Sequence, residues 1–397
     1  MLGPQSALFF LLLVAAFAAL VWWLVAARSV LFRVIAAFLA FIPAMVFGVA
    51  AVNKYYDYYQ TWGSAIADLT SQGLSAPVLP YVGNRSSERF NAFLGSASQG
   101  EPAARAGFIL RLIVRGQASH ISRSVYAYLP PQYFQPAYKN YRFPVIELIH
   151  GFPGVPQDWI TVLDVNVVLR NLLRAGLAKP AVLIMPDASG GHDVSLQCLN
   201  QVRGPQDATY LARDLPDYIS GTLRVARPGL GWGIAGYSEG GFCAANLGLQ
   251  YPERFGFSAV MSGYFKPSLN QLNHRQVNPF GGNLPLQIAN TPDYEVGSLA
   301  PGSPVPQFWL GVGTADRGGV GDTEVFYQLL RRVQPDAGLV LVPGGHTASA
   351  WRELLPPMLE WMTRGLARQP TGSSGPLAPA RPLTSINGPG NPAAHIQ

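Results

Sequence analysis

The stretch IAGYSEGGFCAANLG, residues 234–248, sets Ser238 between Gly236 and Gly240. The pattern G-x-S-x-G is weak alone, because 42 of the 397 residues are glycine and chance matches are common. Context strengthens it. The run LGWGIAGYS before it reads as a buried strand, and EGGFCAANLGLQYPERF after it reads as a helix stopped at Pro252. A serine at such a strand-to-helix turn is lifted out of the chain. Gly236 and Gly240 leave room for neighbouring backbone, and Gly241 lets the helix pack closely. The helix N-terminus beside Ser238 favours developing negative charge.

Outward from this turn, the pattern is alternating strand and helix. GFILRLIV and SRSVYAYLP read as two strands joined by RGQASHI. FPVIELIH (143–150) and AVLIMPD are short apolar runs bounded by turn residues, with a helix between them over about 157–175. ATYLARDLPDYISGTL has helical spacing. Beyond the elbow come a strand FSAVMSGYF, a strand PQFWLGVGTAD, a helix DTEVFYQLLRRV, a strand GLVLVPGGH and a helix ASAWRELLPPMLEWMTRG. Continuous apolar strands alternating with helices predict an α/β fold, with a mostly parallel sheet covered on both faces. Functional loops then gather at the carboxyl ends of the strands.

A serine hydroxyl needs a base to take its proton. Three histidines follow it. His395 is in the tail, and His274 is in a polar loop without a preceding strand. His346, in PGGH, follows the strand LVLVP and is the candidate base. The imidazole needs a carboxylate to set its tautomer. Asp316, at the strand end in GVGTAD, fits best. Asp322 is the reserve, although Asp322 and Glu324 read as charges opening the next helix. Asp293, Glu295 and Asp336 lie in loops without that context. A tetrahedral intermediate also needs two N–H donors. The candidates are the backbone of Glu239 and that of Phe152 in HGFPG. His150, which opens that loop, reads as structural.

Composition frames the rest. Half the chain (49%) is hydrophobic and only 13% is charged, with much of the apolar excess in the first fifty residues. Residues 7–27 and 34–52 carry no charge, and each is long enough to cross a hydrocarbon core of about 30 Å. Together they predict a two-helix transmembrane hairpin over 1–54. A cleaved signal peptide would leave the second segment unexplained. Arg28 and Arg33 in the connection favour a cytoplasmic turn and an extracytoplasmic domain, and Lys54 argues weakly the other way. Tyrosine-rich KYYDYYQTW suits an interface. Residues 55–106 read as a spacer with short helical pieces, 107–366 as the globular domain, and 367–397 as a disordered Pro/Gly/Ser-rich tail.

The net charge of +6 is scattered over arginines, which argues against nucleic-acid binding. With no C-x-x-C and no paired histidines, neither a metal nor a cofactor is expected. In an oxidising space the two cysteines, Cys198 and Cys243, are expected to bond, since the loop after AVLIMPD and the helix after Ser238 share a sheet edge.

HGFPG, DLPDYI, AGYSEGGFCAANLGLQYPERF, GTAD and GGHTASAW jointly resemble the esterase family of α/β hydrolases, over roughly 107–366. That family includes esterase D, S-formylglutathione hydrolase and the antigen 85 mycolyltransferases. The resemblance implies an α/β-hydrolase fold with Ser238, Asp316 and His346 as nucleophile, acid and base. The expected function is a membrane-anchored serine esterase or acyltransferase acting on small ester or lipid substrates through an acyl-enzyme. Alternatives are mycolyl-type transfer to cell-envelope sugars, a peptidase on the same scaffold, and a non-catalytic surface binding protein. The pocket loops, 187–205 and 264–305, carry no motif that names a substrate.

Overall fold

The computed structural model describes residues 3–69, 103–191, 194–272 and 275–367. His274, His395, most of the spacer and nearly all of the tail therefore lie outside the described residues.

Two long apolar helices come first, α1 (Ala7–Ala26) and α2 (Val30–Tyr56). The second starts earlier and ends later than its uncharged core: the Arg33 backbone N–H already bonds to the Ser29 carbonyl (3.1 Å), and the helix runs on through Lys54-Tyr55-Tyr56. Asp57 ends it in the left-handed conformation. A short helix, α3 (Trp62–Leu69), follows.

The globular part is built on an eight-stranded sheet. Its strands are β1 (Phe108–Arg115), β2 (Ser122–Leu129), β3 (Val145–Ile149), β4 (Val182–Pro186), β5 (Gly229–Tyr237), β6 (Phe255–Met261), β9 (Gln307–Gly313) and β10 (Gly338–Val342). The intervening β7 (Asn270–Leu272) and β8 (Arg275–Val277) form a separate small hairpin. Spatial order is β1-β2-β4-β3-β5-β6-β9-β10. The β1–β2 and β2–β4 pairs are antiparallel and all later pairs are parallel. The five residues of β3 and of β4 and the seven of β6 are all buried, as strands covered on both faces must be.

One face packs Leu211, Leu215 and Ile219, with Ala244 and Leu247 of the helix after Ser238. The other packs Leu169, Leu354, Met358 and Met362. The helix expected over 157–175 is split into α4 (Asp158–Thr161) and α5 (Val165–Arg174), because Asp164 sits at φ +51°. The stretch 207–222 is helical, with a π-helical segment at Tyr210–Asp214 before α6 (Leu215–Thr222). Helix α7 is Glu239–Gln250. The loop after β6 carries α8 (Leu284–Ala289) and α9 (Pro292–Ser298) besides the hairpin, none of which the sequence pattern announced. The last helices are α10 (Arg317–Leu330) and α11 (Ala348–Ala367).

Helix α10 corrects one expectation. It begins at Arg317, not at Asp322, because the Asp316 side chain accepts from Gly319 N (3.0 Å) and caps it. Asp322 and Glu324 are exposed in its interior turns.

Candidate active site

Strand β5 ends at Tyr237 and α7 begins at Glu239, leaving Ser238 alone at the corner with φ +56°, ψ −123°. That backbone is rare for a residue with a Cβ and persists only where the surroundings impose it. The surroundings here are backbone packed on backbone. A Cβ on Gly240 would stand 2.1 Å from the Ile149 carbonyl oxygen, and one on Gly236 would stand 2.0 Å from the Gly240 oxygen. Glycine at both positions lets α7 cross the ends of β3 and β5 this closely.

His346 lies in the loop between β10 and α11. Its Nε2 is 2.9 Å from Ser238 Oγ, and its Nδ1 is 2.8 Å from Asp316 Oδ2. With Asp316 accepting at Nδ1–H, Nε2 is left as the acceptor for the serine proton. Burial alone would raise the Asp316 carboxyl. The hydrogen bond and charge of His346, with the Gly319 N–H, outweigh it and hold the carboxyl below its ordinary value. The His346 side chain remains 41% exposed, so the site opens to its surroundings. Behind it Trp351 stands edge-on to the imidazole (5.3 Å between ring centres) and packs on Tyr237 (4.5 Å).

The loop after β3 passes beside Ser238. A Cβ on Gly151 would be 3.1 Å from Ser238 Cβ, which puts Phe152, the next residue, at the rim. Glu239 N–H is the first of α7 and has no acceptor within the helix. His150 Nε2 accepts from Ala188 N (3.1 Å), so Nδ1 carries the proton and donates to the Gly151 carbonyl (2.8 Å). His150 thus joins the loops after β3 and β4.

Cys198 and Cys243 are bonded, with Cα atoms 5.5 Å apart. The same loop is tied down twice more. The Glu239 carboxylate accepts from Ser195 Oγ and from Gln197 N (3.3 Å). The Gln197 amide reaches Asn270 Oδ1 (2.6 Å), Ser268 O (2.9 Å) and Ser268 N (2.8 Å) at the start of the β7–β8 hairpin. Desolvation pushes the Glu239 carboxyl up to about 7, against the lowering effect of the Ser195 and Gln197 bonds. Sequence reasoning considered only the Glu239 backbone and missed this side chain, since its partners are 42 to 44 residues away. Among the described residues, no three His, Cys, Asp or Glu side chains converge as a metal site.

The family described as "Putative esterase" matches residues 117–362, more than half of the chain. The chain belongs to that esterase family. An uncharacterized protein of Corynebacterium glutamicum is 25% identical over 247 residues, which cover 61% of this chain and 57% of that one. The MPT51/MPB51 antigen of Mycobacterium tuberculosis is 32% identical over 130 residues, covering 32% of this chain and 40% of the antigen. The chain thus spans about half the length of the curated relatives it matches. A solved ferulic acid esterase shares the fold, with a TM-score of 0.53 at 20% identity, over 66% of this chain and 98% of that one. This member of the family therefore has the α/β-hydrolase fold, with two apolar helices at its N-terminus.

Proposed function

We propose that this chain is a membrane-anchored serine esterase or acyltransferase whose catalytic domain, about 107–366, faces away from the cytoplasm. Residues 1–54 form the anchor, 55–106 the spacer and 367–397 a tail. The observation that carries the reading is the relay in which one imidazole bridges Ser238 Oγ and the Asp316 carboxylate.

In this reading Ser238 Oγ attacks the ester carbonyl carbon while His346 Nε2 takes its proton. The C=O π electrons move to oxygen, and the N–H groups of Glu239 and Phe152 receive the oxyanion. Asp316 stabilises the imidazolium. When the tetrahedral species collapses, the C–O bond to the alcohol breaks and His346 returns the proton to the departing oxygen. Water, or a second alcohol, then attacks the acyl-enzyme by the same steps in reverse.

The test is turnover of p-nitrophenyl esters of graded chain length, with and without an acceptor sugar. Fluorophosphonate labelling of wild type but not of Ser238→Ala supports the reading. Equal labelling of both places the nucleophile elsewhere and ends it. Free acid as sole product marks a hydrolase, and acylated sugar marks a transferase.

A further inference from the structure

The residues just past α2 hold two different things at once. On one side, Tyr59 is clamped by the ends of both apolar helices. Its N–H donates to Asn53 Oδ1 (2.8 Å), and its carbonyl accepts from Asn53 Nδ2 (3.0 Å) and Gln5 Nε2 (3.0 Å). Trp62 sets its ring edge-on to Phe9 of α1 (5.0 Å). On the other side, the Arg352 guanidinium donates to the carbonyls of Tyr58 (2.7 Å) and Asp57 (3.1 Å) and stands 3.6 Å from the Asp57 carboxylate. Its Nε donates to Val162 O (2.8 Å). Tyr58 Oη donates to the Pro153 carbonyl (3.4 Å), and Tyr58 and Tyr59 pack on the cluster containing Trp159, Tyr237 and Trp351.

The footprint of this clasp fixes an orientation. Pro153 is in the loop leaving the carboxyl end of β3, Val162 follows α4 on the same connection, and Arg352 comes six residues after His346. The clasp therefore grips the domain at the sheet edge where Ser238 opens, not at the opposite edge. The covalent link does not require this. The 33 residues between α3 and residue 103 alone could reach about 110 Å when extended. Loops at the same edge also show apolar side chains to solvent. Val202, on the connection leaving β4, and Leu269 and Leu284, on the one leaving β6, are 45%, 49% and 61% exposed. Such side chains suit the boundary between headgroups and acyl chains.

We infer that the mouth of the site is held at the bilayer surface and takes an ester whose acyl chain stays in the outer leaflet, entering from headgroup level. This rests on the esterase reading and on α1 and α2 spanning the membrane. Asp57, Asn53 and Arg352 are positioning residues that act through the orientation of the domain.

The full chain in phosphatidylcholine nanodiscs tests it, with two esters of one fluorogenic alcohol, palmitoyl (bilayer-bound) and butyryl (water-soluble). Wild type should favour the palmitoyl ester in kcat/KM, and detergent solution should abolish that preference. Asn53→Ala with Asp57→Ala should cut the palmitoyl-to-butyryl ratio about tenfold or more, as loss of effective concentration does. Its butyryl turnover and fluorophosphonate labelling should stay at wild-type level, which also shows that it folds. An unchanged ratio in the double variant, or a wild-type preference for butyrate in nanodiscs, overturns the inference and leaves the esterase reading standing. Failure of both esters and of labelling in wild type removes both.

Discussion

Cys243, little more than one turn into the helix that follows Ser238, is bonded to Cys198 in the loop leaving β4, 45 residues away in the chain. Closing a loop of that length stabilises the folded chain by roughly 4 kcal/mol in the chain-entropy model. Replacing both cysteines by alanine should lower the urea midpoint accordingly, with the denaturant slope shifted because the unfolded chain loses its crosslink. Free, alkylatable thiols at both positions in exported wild-type protein would contradict the bond directly.

The relay of Ser238, His346 and Asp316 should fail as a unit. His346→Ala should lower kcat by about 10⁴ or more, and Asp316→Asn by a similar factor, because the imidazole then presents the wrong tautomer. Adding His346→Ala to Ser238→Ala should cost almost nothing further. Additive losses in the double variant would show that the two side chains do not act together.

Glu239 and Asp316 predict opposite pH responses. The Glu239 carboxyl is raised from 4.5 to about 7, so the folded chain holds a proton that the unfolded chain has lost. Stability from this group therefore falls as pH rises from about 4.5 to 7. Asp316 is lowered, so its contribution is present above its unfolded value and is lost as pH falls through its folded one. Glu239→Gln should gain stability relative to wild type as pH rises to 7, and the gap should then level off. Chemical denaturation at pH 5 and pH 8 reads the gap, and an equal difference at both would refute it.

Gly240→Ala, like Gly236→Ala, should be severely damaging at the elbow. Its methyl would meet the Ile149 and His150 carbonyl oxygens at 2.1 and 2.7 Å, which are fixed backbone in β3 and its end. Loss of several kcal/mol or failure to fold is expected. Gly221→Ala, with nothing within 4 Å, should be close to neutral and serves as the comparison. Similar melting temperatures for the two variants would mean that α7 does not cross β3 this closely.

Topology has its own test. A phosphatase reporter, active only when exported, fused after residue 106 should be active, and one fused between Arg28 and Arg33 should be silent. The reverse pattern would place the α/β domain in the cytoplasm and remove the oxidising setting for the disulfide.

The parallel strands were legible because burial on both faces leaves uninterrupted runs such as VIELI and VLIMP, and the elbow because its glycines sit at fixed offsets from Ser238. The pairing of His346 with Asp316 followed from strand-end position alone. The start of α10 did not, since an aspartate that caps a helix and one inside its first turns look alike in sequence. Also illegible were the contacts of Gln197, Arg352 and Tyr58. Each joins segments about seventy to nearly three hundred residues apart, and a single side chain leaves no periodicity to read.

The left-handed corner at residue 238 sets stability against activity. A non-glycine residue in such a conformation costs on the order of 1–3 kcal/mol, and glycine would hold it without that penalty. Selection for thermal tolerance alone would therefore favour glycine at the one position whose hydroxyl meets the imidazole. A library ranked by melting temperature would place a chain lacking that hydroxyl near its top.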